Sequence, residues 1–194
     1  MSELYYDFLF PSLVCYTENK DLVTESIVTR SLELIEQHNE KPFFSDCYST
    51  VNKFGTVLEL PEFSEIKQAI INALGGYCTM HKIQTEGLRF TCSWLNLYKK
   101  YGYQDLHSHP DSMISGVFYI KSSEESDFVF QAPWHFFQPS MPIYTEQNLK
   151  NSHNILYESK VGRCLIFPSH LMHRTLPATS ERISLSFNIA YSQN

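Results

Sequence analysis

The stretch 106-LHSHPDSMISGVFYI-120 sets two histidines, a proline and an aspartate directly before an apolar, aromatic run. The run 113–120 is rich in β-branched and aromatic residues, as a buried strand is. If strand character extends back to Leu106, a period of two puts His107 and His109 on one side. Asp111 joins that line if Pro110 does not break it. A pair at i and i+2 lets one strand offer a metal two adjacent coordination positions. The segment therefore predicts a β body with a candidate metal site at the end of a strand.

Similar runs lie on both sides: 88-LRFTCSWLNLY-98, 127-DFVFQ-131, 154-NILYESK-160, 163-RCLIF-167 and 182-RISLSFNIAY-191. Turn signals separate them, among them KKYG, SSEES and TLPATSE. Upstream the period changes. Residues 21–38 predict a helix capped by Thr24 or Ser26, with Ile27, Val28, Ser31, Leu32 and Ile35 on one face. Residues 64–74 predict a second helix with Ser64 as N-cap, and Gly75-Gly76 as a stop or interruption. Residues 5–16 read as a short strand or extended edge. The expected fold class is mainly β with N-terminal helices, of the sandwich, jelly-roll or barrel kind. One domain over 1–194 is expected, with helical support mainly at 20–85 and a β core at 88–192.

The chain has 194 residues, 43% of them hydrophobic and 19% charged, a globular composition. The net charge of −6 and the lack of a basic run argue against a phosphate-binding surface, so no nucleic-acid partner is expected. Five cysteines, odd in number and without a CxxC, suit a reducing compartment. Without a long apolar run or a basic N-terminal signal, a soluble cytoplasmic protein is expected, with no membrane partner. The oligomeric state stays open, a homodimer included.

Of eight histidines, four form two groups, His107 with His109 and His170 with His173. His38, His81, His135 and His153 are scattered, and surface or capping roles suffice for them. His173, just after 163-RCLIFPSHLM-172, is the best third ligand, with His170 its rival. The alternative is a set of polar residues at strand ends. Three protein ligands with open positions mark a catalytic metal site, and the absence of paired cysteines argues against structural zinc. Imidazoles with an optional carboxylate suit non-haem Fe(II).

In 182-RISLSFN-188, Arg182, Ser184 and Ser186 share one strand face, and Ile183, Leu185 and Phe187 the other. An arginine pointing into an apolar β body needs an acid partner, because a buried guanidinium is costly alone. Its planar fork suits a carboxylate, and a serine hydroxyl adds a hydrogen bond. That carboxylate can belong to a cosubstrate that also reaches the metal. Otherwise Arg182 is a surface residue on an edge strand.

The blocks 94-WLNLYKKYGYQDLHSHPDSMISGVFY-119 and 162-GRCLIFPSHLMHRTLPATSERISLSFN-188 together resemble the 2-oxoglutarate–Fe(II) oxygenases found in marine phages and bacteria. The shared pattern is Trp-x-Asn, a glycine turn, His-x-His-Pro and Ser-Gly-Val-aromatic-Tyr. A glycine-to-Phe-Pro turn, a histidine and Arg-x-Ser ending in Phe-Asn follow. The early FLFPSLVCY is similar too, so the resemblance spans most of the chain.

The resemblance implies a double-stranded β-helix and a dioxygenase using Fe(II), 2-oxoglutarate and O2, hydroxylating a substrate that no residue here selects. It implies that His107, His109 and His173 surround the metal and that Arg182 and Ser184 hold the distal carboxylate of 2-oxoglutarate. Tyr98 and Asn96, on the preceding strand, are candidates beside them. For a phage-encoded protein the location would be the host cytoplasm.

Most such oxygenases carry His-x-Asp or His-x-Glu. Here His107-Ser-His109 competes with His109-Pro-Asp111, which would restore a carboxylate. The resemblance aligns His107 with the first ligand, and that register is preferred, with Asp111 near the metal or orienting a histidine. The stretch 132–153, with Trp134, Phe136, Phe137 and Tyr144, reads as a lid or an aromatic satellite core. Two rival readings stand beside the oxygenase. One is a cupin-type three-histidine dioxygenase without an oxoacid, which lacks its usual glutamate at 112–114. The other is a non-catalytic jelly-roll binding or structural module.

Overall fold

The computed structural model describes residues 5, 11–43, 45–122, 127–134 and 142–192. In chain order it contains strand β1 (Cys15–Glu18), helix α1 (Glu25–His38), β2 (Tyr48–Ser49) and helix α2 (Ser64–His81). There follow β3 (Leu88–Tyr98), β4 (Gln104–His107), β5 (Ile114–Lys121), β6 (Asp127–Gln131), β7 (Asn154–Glu158), β8 (Arg163–Pro168), β9 (His173–Thr175) and β10 (Arg182–Tyr191). Among the described residues the strands form a six-stranded sheet, ordered β1-β8-β5-β10-β3-β2, and a four-stranded sheet, ordered β4-β9-β6-β7. The pairings within both are antiparallel. The two sheets face each other as the expected double-stranded β-helix.

The helices cover the outer face of the larger sheet. Ile27, Leu34 and Ile35 of α1 and Ile66, Ile70 and Tyr77 of α2 pack with Ile183, Leu185, Phe187 and Ile189 of β10. Thr24 caps α1, its side chain accepting from the Ile27 N–H at 3.4 Å. Leu34 takes a buried place beside Ile35, while Val28 and Leu32 are only partly covered.

Helix α2 departs from expectation at both ends. Ser64 is its first helical residue, and Phe63 occupies the N-cap without a side-chain bond. Gly75-Gly76 does not stop it. Both glycines face solvent, while Tyr77 and Cys78 bury themselves in the core one step further on. The packing of that turn outweighs the roughly 1 kcal/mol that each glycine costs a helix. The helix ends instead at Lys82, which adopts a left-handed conformation with φ of 59°.

The sequence runs at 88–98, 113–120, 127–131, 154–160, 163–167 and 182–191 correspond to β3, β5, β6, β7, β8 and β10. Strands β4 and β9, only four and three residues long, are not among those runs, and the strand expected to carry both His107 and His109 ends at His107. The N-terminal strand begins at Cys15, later than predicted, and residues 6–10 of that prediction lie outside the described residues. In the loop 132–153, Trp134 packs edge-on against His153 at 5.1 Å, while Phe136 and Phe137 lie outside the described residues. No helix of the described residues is long and apolar enough to cross a membrane.

The second core lies between the sheets, built from Val117, Tyr119, Leu165 and Phe167 on one side and Phe128 and Phe130 on the other. Gly116 sits on the helix-facing side of β5, opposite Phe187 of β10. A Cβ there would collide with the Phe187 ring and lie 2.6 Å from the Leu165 carbonyl oxygen. The carbonyl belongs to a paired strand and cannot move aside. Gly116→Ala is therefore expected to cost about 1–3 kcal/mol by overpacking, read as a lower urea midpoint in equilibrium unfolding followed by circular dichroism.

Candidate active site

Two short strands bring the first histidines together. His107 ends β4 and is the backbone partner of His173 at the start of β9. From Gln104 to His107 the chain advances three residues while its partner advances two, from Thr175 to His173. This bulge sets His107, and not Leu106, opposite His173, as bulges re-aim side chains. His109 lies past the end of β4. Its N–H donates to the Ser169 carbonyl at 2.9 Å, and its carbonyl accepts from Ser112 N–H at 3.1 Å. The expectation that His107 and His109 share a face of one strand is thus replaced by a strand end followed by a turn.

The ligand-capable atoms of His107, His109 and His173 lie within 4.8 Å of one another. The Nε2 atoms of His109 and His173 are 3.3 Å apart. Two nitrogens each ~2.0–2.1 Å from one metal, at right angles, stand roughly 3 Å apart, so the spacing suits adjacent ligands. His107 Nδ1 donates to the Asp105 carbonyl at 2.7 Å, and His173 Nδ1 donates to the Leu171 carbonyl at 2.8 Å. A carbonyl oxygen only accepts, so both Nδ1 atoms carry the proton and both Nε2 atoms present a lone pair. Asp111 is exposed in the following turn and His170 in the turn before β9. Neither belongs to the cluster.

The surroundings keep these rings neutral. His173 is 2% exposed. The Phe128 ring stacks on it at 5.1 Å, and Phe167 meets it edge-on at 4.8 Å. Burial pushes His173 well below the usual imidazole range, helped by His107. Burial and then the neighbouring His107 lower His109 to about 4. Burial lowers His107 as well. A neutral imidazole is the form that binds a metal.

The same cavity continues between the sheets to Arg182, Ser184, Tyr98, Tyr119 and Thr175. Arg182 is 1% exposed. Its guanidinium lies 4.2 Å over the Tyr98 ring and donates to the Leu176 carbonyl at 3.4 Å. The Tyr98 hydroxyl donates to Gln104 Oε1 at 3.0 Å. The Tyr119 hydroxyl is buried with no hydrogen-bond partner among the described residues. Burial pushes both phenols up, so both stay protonated donors at neutral pH. Ser184 is the backbone partner of both Tyr119 and Asn96. Asn96 Nδ2 donates to Ser186 Oγ at 3.1 Å, and Asn96 is not among the cavity-lining residues.

The cavity thus has neutral nitrogen donors at one place and a cation with an open phenol donor at another. That donor set fits a divalent metal and a dicarboxylate bound to it. A family model described as "Putative 2OG-Fe(II) oxygenase" matches residues 92–188, half of the chain. The chain belongs to this family. The oxygenase uses Fe(II), 2-oxoglutarate and O2, which decides against the cupin-type and non-catalytic readings.

Solved structures agree in fold. A prolyl-4-hydroxylase from Pseudomonas putida is 14% identical, with a TM-score of 0.67 and 93% of each chain covered. HygX from Streptomyces hygroscopicus, with nickel and 2-oxoglutarate bound, is 13% identical, with a TM-score of 0.60, over 92% of this chain and 83% of HygX. The viral collagen prolyl hydroxylase of Paramecium Bursaria Chlorella virus-1, as its 2OG complex, is 14% identical, with a TM-score of 0.56, over 91% and 96%. No curated protein matches the chain in sequence.

Sequence reasoning passed over Tyr119, although it ends the quoted Ser-Gly-Val-aromatic-Tyr motif. The alternation of β5 was the available signal, since Ser115, Val117 and Tyr119 share a face. It also passed over Gln104, which lies in a strand too short to show a period. Between pH 6.5, the ordinary imidazole value, and about 4, unfolded His109 takes a proton that the folded ring refuses. The unfolded state binds more protons there, so stability falls as pH drops through that window. The metal-free oxygenase is expected to lose thermal stability over this range, and His109→Asn to lose less, measured by differential scanning fluorimetry in chelator.

Proposed function

We propose that this oxygenase is a hydroxylase in which His107, His109 and His173 hold Fe(II) through Nε2. Arg182, Tyr119 and Ser184 hold the distal carboxylate of 2-oxoglutarate. The observation that carries the reading is a single cavity lined by three neutral imidazoles and by the buried Arg182 with the open Tyr119 hydroxyl. Bound Fe(II) with 2-oxoglutarate and O2 supplies an oxidative decarboxylation, to succinate and carbon dioxide, coupled to oxidation of a C–H bond.

The chain's own residues do the positioning. The Arg182 fork, braced on the Tyr98 ring, meets a carboxylate with charge-assisted bonds. Tyr119 adds an O–H donor from β5, and Ser184 another from β10. Fixing the far carboxylate leaves the cosubstrate one geometry at the imidazoles. Phe128, Phe130 and Phe167 keep water from His173 and strengthen each electrostatic contact inside. In this assignment Tyr98 acts through Arg182 and Gln104, and Asn96 through Ser186. Asp111 takes no part.

The reading takes the chain as one domain, since helices and sheet share one core. Its partners are the small-molecule cosubstrate and a substrate, with no nucleic acid or membrane. The five free thiols support the cytoplasm as its place of action.

Thermal shift with Mn(II), with and without 2-oxoglutarate, tests the reading. The wild type is expected to melt higher with Mn(II) and higher again with 2-oxoglutarate. Arg182→Gln is expected to keep the first increment and lose the second. Tyr119→Phe is expected to weaken 2-oxoglutarate binding roughly 10- to 100-fold, the worth of a hydrogen bond to a charged group. Tyr98→Phe is expected to change it less. A wild type blind to Mn(II), or a 2-oxoglutarate increment intact in Arg182→Gln, would overturn the assignment.

A further inference from the structure

The three histidines of the proposed centre are held in two different ways. His107 and His173 each give Nδ1–H to a carbonyl two residues earlier, at Asp105 and Leu171. His109 stands beyond the strand, and among the described residues no backbone carbonyl accepts from its ring. The side chain of Asn188 lies beside its ring. The Trp94 ring stacks on its face at 5.8 Å.

Asn188 is the inward residue that follows Arg182, Ser184 and Ser186 along β10, and it is 8% exposed. Its Oδ1 accepts from Ser115 Oγ at 2.8 Å. Ser115 Oγ lies 2.7 Å from Ser169 Oγ. The Ser169 carbonyl in turn accepts the His109 N–H at 2.9 Å. Ser115 and Ser169 are 1% and 0% exposed. The chain of contacts therefore leaves the His109 backbone, passes through two buried serines, and ends at the Asn188 side chain. On the far side Asn188 is the backbone partner of Cys92, where the pairing of β10 with β3 breaks register. The Ser115 hydroxyl therefore fixes where the amide oxygen of Asn188 sits.

We propose that Asn188 is the positioning residue for His109, its Oδ1 accepting the ring N–H so that Nε2 is aimed at the metal. Ser115 and Ser169 hold that oxygen in place. The inference rests on His107, His109 and His173 being the ligand set. It assigns to Asn188 the part that backbone carbonyls play for the other two rings.

The test is titration of the full-length, metal-free protein with Co(II), followed by the visible d–d absorption band, on wild type, Asn188→Leu, Asn188→Asp and Ser115→Ala. Asn188→Leu is expected to weaken Co(II) binding roughly 10- to 100-fold, as loss of a ligand's supporting partner does, and to shift the band. Asn188→Asp keeps an acceptor oxygen and is expected to restore the affinity and the band. Ser115→Ala is expected to fall between. If Asn188→Leu does not fold, Asn188→Ser, too short to reach the ring, takes its place. A wild type that binds no Co(II) would overturn the ligand set and this inference with it. Wild-type binding that Asn188→Leu leaves unchanged in affinity and band would overturn this inference alone. So would a loss that Asn188→Asp does not restore.

Discussion

Strand β10 runs through the centre of the larger sheet, and its period of two divides the molecule. Ile183, Leu185, Phe187 and Ile189 point to the helices, where they are fully buried. Arg182, Ser184, Ser186 and Asn188 point the other way, between the sheets. A central strand with one polar face needs a second layer that satisfies that face. The four-stranded sheet supplies it with aromatic rings and imidazoles. Much else follows from this: which face of each helix is apolar, why β5 needs a glycine against Phe187, and where a cavity can exist.

A polar interior between sheets is costly unless its groups are paired, and most of them are. Asn96 pairs with Ser186, Ser115 with Asn188 and Ser169, and Tyr98 with Gln104. Among the described residues the Tyr119 hydroxyl has no such partner, and it lines the same cavity as Arg182. The imidazoles are set by different means. His107 depends on a bulge in β4, His173 on a three-residue strand in an aromatic wall, and His109 on a turn held by the larger sheet. The site is therefore built from both sheets and needs their relative placement as much as any one strand.

The sequence was readable where a period could repeat. Strands β3, β5 and β10 are eight or more residues long, and their inward faces could be assigned before any contact was known. The two histidine groups and Arg182 stood out by residue type. Short elements were opaque. Strands β4 and β9 are too brief for an alternation to show, so the hydrogen-bonding ladder that joins His107 to His173 was invisible. Gly75-Gly76 misled for a related reason, because a local helix penalty says nothing about the core contacts of Tyr77 and Cys78. Choosing between Tyr98 and Tyr119 needed the partner of each hydroxyl, which is a contact distant in sequence.

The amino-acid order by itself determined the β class, the helical support, the inward polar line of β10 and the candidate set of histidines. These follow from side-chain period and chemistry, which are local. Tertiary structure decided the rest. It left Asp111 exposed in a turn and brought His109 to the cluster, because the chain leaves β4 at His107 and is caught by Ser169, in the turn just after β8 of the opposite sheet. Among the described residues it left the Tyr119 hydroxyl without a partner and engaged that of Tyr98. Such choices depend on which backbone groups meet across the fold, and residue spacing does not carry that information.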